Sequence, residues 1–499
     1  MDRPMLQSLL SERQSWLALR DLPRDDLLAA QQTIGSDCSG LDCCIYALRK
    51  LGIEHKHLFS CDNDDHARQW AAKNHSPHRY YEDLRDRRSR SDQDKKITGY
   101  ITGFPCRPFS VQNSSSRGMS HKDADLPACV VAETMRARPQ WAVYENVLGL
   151  RQYLHGPRGV FSIFQKGGLL KEYFVFVLPI DPQKTLRVPH RRPRLYFVLV
   201  RKADAVCSNV GYLSELIQTL LEKLTTEVRR RPCPGLPDLQ GETVSAETCK
   251  GRPNGKIQKQ QWPKVHKAFC EKNGIRPKTF SESQAPGLTP RERDVLGICV
   301  AQARQQRASR DDFQIVDVSQ SAHRAPTAFN GVPCLTTSSK LVLVPPGADK
   351  CKVLSGRDKL RLIGIMPEQC VIENETMANA LHRLCGNAMH VDAVALAMVL
   401  GMSLVSWKHC DKLESTAACH SNAVVFTFQT VEKGKRPEGL PRKALLSMKR
   451  LRNGKGKAAR SRSSVSHATC QVHSDRKRKS AAQSSDAPKK RRSLGSLFG

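Results

Sequence analysis

Residues 103–110 read Gly-Phe-Pro-Cys-Arg-Pro-Phe-Ser and place Cys106 between two prolines. Pro105 fixes its own φ and restricts Phe104, and Pro108 stiffens the turn just past the cysteine. A thiol held this way, after the apolar run Ile97–Ile101, is placed to act as a nucleophile. A lone free cysteine in a turn more often behaves as a small buried hydrophobe, so its partners decide. Three acids precede it at regular intervals: Asp37 in Ser-Asp-Cys-Ser-Gly-Leu-Asp, Asp62 after Lys56–Cys61, and Asp83 in Tyr-Glu-Asp-Leu. Gly40 allows a tight turn toward a ligand, Asp62 is placed to accept from ribose hydroxyls, and Asp83 from an exocyclic amine of adenine. Each acid alone reads more readily as a solvated loop residue or a helix cap, and it is the regular spacing of all three that favours a site. Downstream, Glu145-Asn146-Val147 offers a carboxylate for proton transfer if it is desolvated, against the alternative of a salt-bridged loop acid. Val188-Pro-His-Arg-Arg-Pro-Arg194 brings Arg191, Arg192 and Arg194 together, as an anion site, a phosphate contact or a solvated turn.

The elements that carry these residues alternate. Strands are expected at Thr33–Asp37, Lys56–Cys61, Ile97–Ile101 and Gln140–Tyr144, with helices at Cys43–Leu51, His66–Asn74, Leu126–Ala137 and Val160–Gln165. That order predicts an α/β fold with a doubly wound, mostly parallel sheet, whose ligands sit at the carboxyl ends of the strands. Tyr173–Leu178 and Leu195–Val200 have only a Pro-rich connection, which predicts an antiparallel hairpin at the sheet edge. Val210–Val228 is one amphipathic helix, and 229–288 is rich in Pro, Gly and Lys with little periodicity. Regularity returns at Arg357–Ile365 and Asp392–Leu400. The expected organisation is a lead-in at 1–32, a catalytic domain at 33–202, a smaller irregular target-recognition domain at 203–350, a return segment at 351–405, an extension at 406–432 and a disordered basic tail at 433–499.

In that order, GFPCRPFS, YENV and VPHRRPRLYFVLV resemble the signatures of the cytosine-5 DNA methyltransferases. Weaker matches are Ser39-Gly40 with Asp62 and Asp83, the segment SGRDKLRLIGI at 355–365, and Leu384-Cys-Gly-Asn-Ala388. The resemblance covers about residues 33–202 and 333–402, and leaves 203–330 where the family places its variable target-recognition domain. It implies a class I methyltransferase-like Rossmann fold and S-adenosylmethionine as methyl donor, with no metal. It implies Cys106 as the nucleophile on carbon 6 of a flipped cytosine and Glu145 as the acid at ring nitrogen 3. Arg192 and Arg194 fit the family's two arginines, with Arg194 at the cytosine carbonyl and the thiolate. Asp37, Ser39, Gly40, Asp62, Asp83, Gly103, Pro105 and Asn387 are the implied cofactor contacts. The product would be 5-methylcytosine in double-stranded DNA, an epigenetic mark.

Three positions depart from the family's usual residues: Asp42 stands for Gly, Arg107 for Gln, and His190 for Gln with a pH-dependent hydrogen bond expected. None removes a group the reaction needs. A tRNA cytosine-5 methyltransferase is the first alternative, but the Cys-Phe-Thr segment of that branch is absent from the target region. A catalytically impaired DNA-binding regulatory homologue is the second, with Asp42 its best argument.

The formal net charge of +32 points to a polyanionic partner. Residues 433–499 hold 20 Lys/Arg against 3 Asp/Glu, a net of +17, which leaves +15 for the rest. The basic clusters Arg476–Lys479 and Lys489–Arg492 resemble a bipartite nuclear localisation signal, so a nuclear address and the import machinery as partner are expected. Eighteen scattered cysteines without a Cys-x-x-Cys pair argue for free thiols in a reducing compartment and against a zinc ribbon. Neither a cleavable leader nor a run long enough to span a bilayer is expected, and no membrane partner; the short stretch before residue 33 argues against large reader domains and a maintenance role.

Overall fold

The structure, a computed structural model, describes residues 1–85, 97–105, 121, 123–232, 239, 262–305, 313–323, 327–329, 331–346, 350–407 and 425–427. Cys106, Arg107 and the basic clusters of the tail lie outside the described residues. The chain divides into two units, Met1–Val431 and Glu432–Gly499, and every described residue belongs to the first.

In chain order the first elements are α1 (Arg3–Ala18), β1 (Gln32–Asp37), α2 (Cys43–Leu51), β2 (His55–Cys61), α3 (Asp65–Asn74), β3 (Arg79–Tyr81), β4 (Gly99–Thr102), α4 (Leu126–Ala137), β5 (Trp141–Val147), α5 (Val160–Lys166), α6 (Leu169–Glu172) and β6 (Tyr173–Ile180). There follow α7 (Pro182–Leu186), β7 (Arg194–Arg201), α8 (Val210–Arg230), α9 (Trp262–Asn273), α10 (Pro290–Gln305), β8 (Gln314–Asp317), β9 (Thr327–Phe329), β10 (Leu341–Val344), β11 (Lys352–Val353), α11 (Gly356–Leu362), α12 (Glu375–Asn387), α13 (Val391–Ser403) and β12 (Val425–Thr427).

The main sheet has eight strands in the order β12-β6-β7-β5-β4-β1-β2-β3. Its β3, β2, β1, β4 and β5 pair in parallel, whereas β7 is antiparallel to both β5 and β6. Both faces are covered, and period-2 alternation shows it residue by residue. Trp141, Val143, Val198 and Val200 face a core shared with α1, α2, α8 and α13, while Ala142, Tyr144, Phe197 and Leu199 face one shared with α4 and α5. All thirteen residues of α13 are buried, so it is the central helix of the first layer.

Two sequence expectations change here. The hairpin of β6 and β7 is antiparallel, but it does not end the sheet, because β12 pairs parallel with β6. Its connection also contains a helix, α7, opened by the Asp181 cap and Pro182. The segment expected to be irregular holds α9, α10 and strands β8, β9 and β10 of an antiparallel sheet, order β11-β10-β8-β9, to which the expected return segment adds β11. These strands are two to four residues long, too short for alternation to register in the sequence. One face of that sheet, through Ile315 and Leu341, joins the main core; the other, through Val316 and Val342, packs with Val295 and Leu296 of α10. Helix α8 likewise buries Leu213, Leu216, Ile217, Leu220 and Leu224 in the main core, so packing continues across residue 203.

Candidate active site

Because β1–β5 run parallel, their carboxyl ends lie along one edge of the sheet, and β7, running the other way, begins at that same edge. The register pairs Val147 with Arg194 and Glu145 with Tyr196. It thereby brings Glu145 and Arg194, 49 residues apart in sequence, into an ion pair: Arg194 Nε donates to Glu145 Oε1 at 3.0 Å. Glu145 is only 7% exposed. Burial raises its carboxyl pKa above the usual range, against the pull of Arg194 and Arg192. The same arginine reaches the backbone oxygen of Pro193 at 2.9 Å and the thiol of Cys334 at 3.7 Å.

Gly103 opens the segment that leads to Cys106. A Cβ at Gly103 would stand 3.1 Å from Met389 Cε, a tight contact, and 3.5 Å from Glu145 Oε2, so Gly103 lies directly beside the carboxylate. Asn146, fully buried, donates from Nδ2 to the carbonyl of Phe104 at 3.0 Å and fastens the end of β5 to the backbone before Pro105. Its Oδ1 accepts from the Val147 N–H at 2.9 Å.

Arg192 sits beneath this surface, 2% exposed. Its two terminal nitrogens donate to the carbonyls of Leu335 at 2.9 Å and Gly386 at 3.0 Å, and its backbone N–H donates to Asp181 Oδ1 at 3.1 Å. Burial lowers the pKa of the guanidinium. Arg192 thus ties β7 to the strap 331–340 and to the end of α12, where Asn387 is exposed. The strap is stitched on further by Arg191 N–H to Val332 O at 3.0 Å and by Ser339 Oγ to Asp317 Oδ2 at 2.7 Å. His190 is buried beside His390, and burial moves its pKa well below the ordinary histidine value. The pH dependence expected of His190 is therefore corrected: it stays neutral through the physiological range.

At the other end of the edge, β1 delivers Asp37, whose Oδ2 accepts from Tyr100 Oη at 2.5 Å. The turn after it has three left-handed residues at alternate positions, Cys38 (φ 49°), Gly40 (φ 53°) and Asp42 (φ 51°). Two of these carry a Cβ, at a cost of about 1–2 kcal/mol each. Ser39 donates to the Cys61 carbonyl through its N–H at 3.0 Å and its Oγ at 3.2 Å. Asp62 accepts from the Gly40 N–H at 2.8 Å and the Asp64 N–H at 3.0 Å. Burial pushes the Asp62 carboxyl up to about 6. Asp83 accepts from the Arg85 N–H at 2.8 Å and turns the chain after β3.

The sequence profile described as C-5 cytosine-specific DNA methylase matches residues 34–398. The chain belongs to the C-5 cytosine-specific DNA methylase family. It is similar to the Type II methyltransferase M1.BsuMI of Bacillus subtilis (strain 168), 25% identical over 225 residues, which are 41% of this chain and 51% of that protein; the match thus spans about half of the relative's length. Among solved structures, the S. pombe Dnmt2 methyltransferase aligns with TM-score 0.43 and 13% identity over 74% of this chain and 98% of that one. A putative DNA modification methyltransferase from an E. coli prophage aligns with TM-score 0.41 and 17% identity over 75% and 98%.

Membership of the family implies S-adenosylmethionine as the methyl donor, and the turn after β1 fits such a ligand. Nothing lies within 4 Å of the position a Cβ would take on Gly40, so the backbone there leaves open space for a ligand. Asp62 stands beside it with acceptor capacity left over. No cluster of metal-ligating side chains occurs among the described residues. Sequence reasoning missed Asn146 as the tie to Phe104, Tyr100 as the partner of Asp37, and the Leu335 carbonyl that grips Arg192. The Asn of Glu-Asn-Val was the available signal for the first; the others are side-chain contacts across strands or across the strap, without a local signature.

Proposed function

We propose that the protein transfers a methyl group from S-adenosylmethionine to carbon 5 of cytosine in double-stranded DNA. The observation that carries this reading is Glu145, a buried carboxyl with raised pKa, next to Gly103 at the head of the Pro-Cys segment. Carbon 5 of cytosine is a poor nucleophile. Addition of the Cys106 thiolate to carbon 6 makes the ring enamine-like, while Glu145, whose hold on a proton is strengthened by burial, gives a proton to ring nitrogen 3. Arg194 remains on Glu145 and faces the forming charge; Arg192 acts through position, by holding the strap and α12 against β7. The bound cofactor supplies the electrophilic methyl group. A base then takes the carbon-5 proton, the carbon-6–sulfur bond breaks to release the thiolate, and ring nitrogen 3 returns its proton to Glu145, so that Cys106 and Glu145 regain their starting states.

Asp62, Gly40 and Ser39 form the cofactor cradle in this reading, and Asp37, Asp83, Gly103, Pro105 and Asn387 are further cofactor contacts that the family resemblance implies. A cytosine inside a duplex must be extruded, at a cost of a few kcal/mol. The region 262–353 holds 14 Lys/Arg against 8 Asp/Glu, a net of +6, which suits backbone contacts to DNA during that step. The tail's basic clusters serve nuclear import; a reporter fused to residues 433–499 that stays in the cytoplasm overturns that assignment.

The test is methylation of unmodified duplex DNA with labelled S-adenosylmethionine, with Cys106→Ala and a tRNA substrate alongside. Label in DNA that requires Cys106, and a covalent adduct on a 5-fluorocytosine duplex, are expected. Label in tRNA alone, or an adduct that survives Cys106→Ala, overturns the reading.

A further inference from the structure

Ser36 on β1 and Ser60 on β2 are register partners, so their side chains leave the sheet on the same face and their hydroxyl oxygens lie 3.5 Å apart. Directly above them begins α2, and its preceding residue, Asp42, is 1% exposed. The Asp42 side chain makes no capping bond to its own helix. It turns inward instead, and each carboxylate oxygen accepts one hydroxyl: Oδ1 from Ser36 Oγ at 2.5 Å, Oδ2 from Ser60 Oγ at 2.5 Å. A single residue therefore bridges two strands one residue short of their carboxyl ends.

The backbone at Asp42 has the left-handed conformation that suits the glycine of the family's usual pattern. A glycine there satisfies the turn but offers nothing to the two strands. Asp42 keeps the turn and adds a bridge, and its N–H closes the loop with a 2.7 Å bond to the Ser39 carbonyl. The residues so enclosed are Ser39 and Gly40, the two whose backbone meets Cys61 and Asp62. Left-handed Cys38 and Asp42 stand on either side of Gly40, and the Asp42 carboxylate anchors the far end of a turn whose middle is held by the bonds from Ser39 to Cys61 and from Gly40 to Asp62.

The surroundings fit a role in hydrogen bonding rather than in charge pairing. Behind Ser60 lies His57, whose Nε2 is 3.1 Å from Ser60 Oγ, and His75 binds the Leu41 carbonyl through Nε2 at 3.0 Å. Burial holds both imidazoles toward their neutral forms. Burial raises the pKa of the Asp42 carboxyl, Arg49 of α2 acts on it only through space, and Cys43 and Cys44, the first residues of α2, are buried thiols. No cation is bonded to Asp42 among the described residues.

We propose that Asp42 is a positioning residue for the cofactor loop, a carboxylate bridge from Ser36 to Ser60 that fixes Ser39 and Gly40 for S-adenosylmethionine. The proposal rests on the reading of the cradle given above. It predicts that Asp42→Gly, which suits the backbone, raises the dissociation constant for S-adenosylmethionine about tenfold, the scale expected for losing hydrogen bonds to a charged acceptor. The loss falls on KM for the cofactor more than on kcat. Asp42→Asn has the same shape, accepts one hydroxyl and donates to the other, and restores affinity to within about threefold.

Two measurements on the full-length protein decide it. Equilibrium titration with S-adenosylmethionine gives the affinities, and hydrogen exchange without cofactor gives the opening of the amides of residues 39–44. Exchange about tenfold faster in Asp42→Gly and confined to that loop, with recovery in Asp42→Asn, is expected. Wild-type exchange rates in Asp42→Gly overturn the positioning role whether or not cofactor binds. A wild-type protein that does not bind S-adenosylmethionine overturns the cradle, and with it the cofactor clause of this proposal, while the exchange data still judge the bridge. Equal affinities for wild type and Asp42→Gly overturn the proposal and leave the cradle standing.

Discussion

Along β5 and β7 the candidate groups are side chains fixed by strand register and by one another, whereas at the ends of β1 and β2 the loop is fixed through its backbone. Glu145 and Arg194 meet because antiparallel pairing places Val147 opposite Arg194, and burial then makes their contact consequential. Ser39 and Gly40 are held through their N–H groups by the Cys61 carbonyl and the Asp62 carboxylate, in a turn closed by left-handed residues. The first region is suited to moving a proton: a desolvated acid beside a cation changes state at a defined place. The second is suited to shape, since an open space above Gly40 and a row of acceptors read a ligand's outline. Disturbing each region should therefore have different consequences.

The largest expected effect breaks the acid. Glu145→Gln keeps the volume but cannot give a proton to ring nitrogen 3, and kcat for methylation should fall by about 10²–10⁴ with an unchanged circular-dichroism spectrum. Retained kcat would transfer the proton role elsewhere.

Next is the buttress. Arg192→Ala leaves the buried carbonyls of Leu335 and Gly386 without their donor, and should cost about 3 kcal/mol in denaturant unfolding. Arg192→Lys should recover less than half of that, because an ammonium has no planar fork to reach both oxygens. A smaller loss is expected of Asn146→Asp, which cannot donate to the Phe104 carbonyl: about 1–2 kcal/mol in stability, together with slower 5-fluorocytosine trapping.

The smallest effect sharpens the cofactor side. With its carboxyl near 6, Asp62 accepts ribose hydroxyls more strongly when ionised, so affinity for S-adenosylmethionine should fall, by at most about tenfold per pH unit, as pH drops below about 6. The same raised value makes this group's contribution to the stability of the unliganded protein present below about pH 4 and lost as pH rises through about 6. In Asp62→Asn the binding profile should be flat across that window. A wild-type profile that is already flat would take Asp62 out of the cradle.

Much of this was legible from the chain. The helices Cys43–Leu51 and Leu126–Ala137 occupy the spans that periodicity predicts, and the strands that carry Asp37, Glu145 and Arg194 differ only by a few residues at their ends. Strong apolar periodicity and tight turns are local properties, so local sequence reports them. The second sheet was not legible, because strands of two to four residues take their stability from α10 and the main core rather than from their own pattern. His190 is the sharpest miss on the site: its residue type suggests a pH-dependent contact, and burial against His390 removes it.

The sequence by itself determined the order of elements and which chemical groups stand at their ends. A thiol, a carboxyl and two arginines follow in succession because strand, loop and turn each leave a short-range mark. Tertiary structure alone decided what those groups are to one another. Register set the 3.0 Å contact of Glu145 with Arg194, and burial raised the acid's pKa. The strap 331–340 turned Arg192 from a possible ligand contact into a buttress. At Asp42, a residue whose type promises a solvated acid became a bridge between two serines. Hydrogen-bond partners and desolvation are properties of the space around a residue, which is filled by segments far away in the chain.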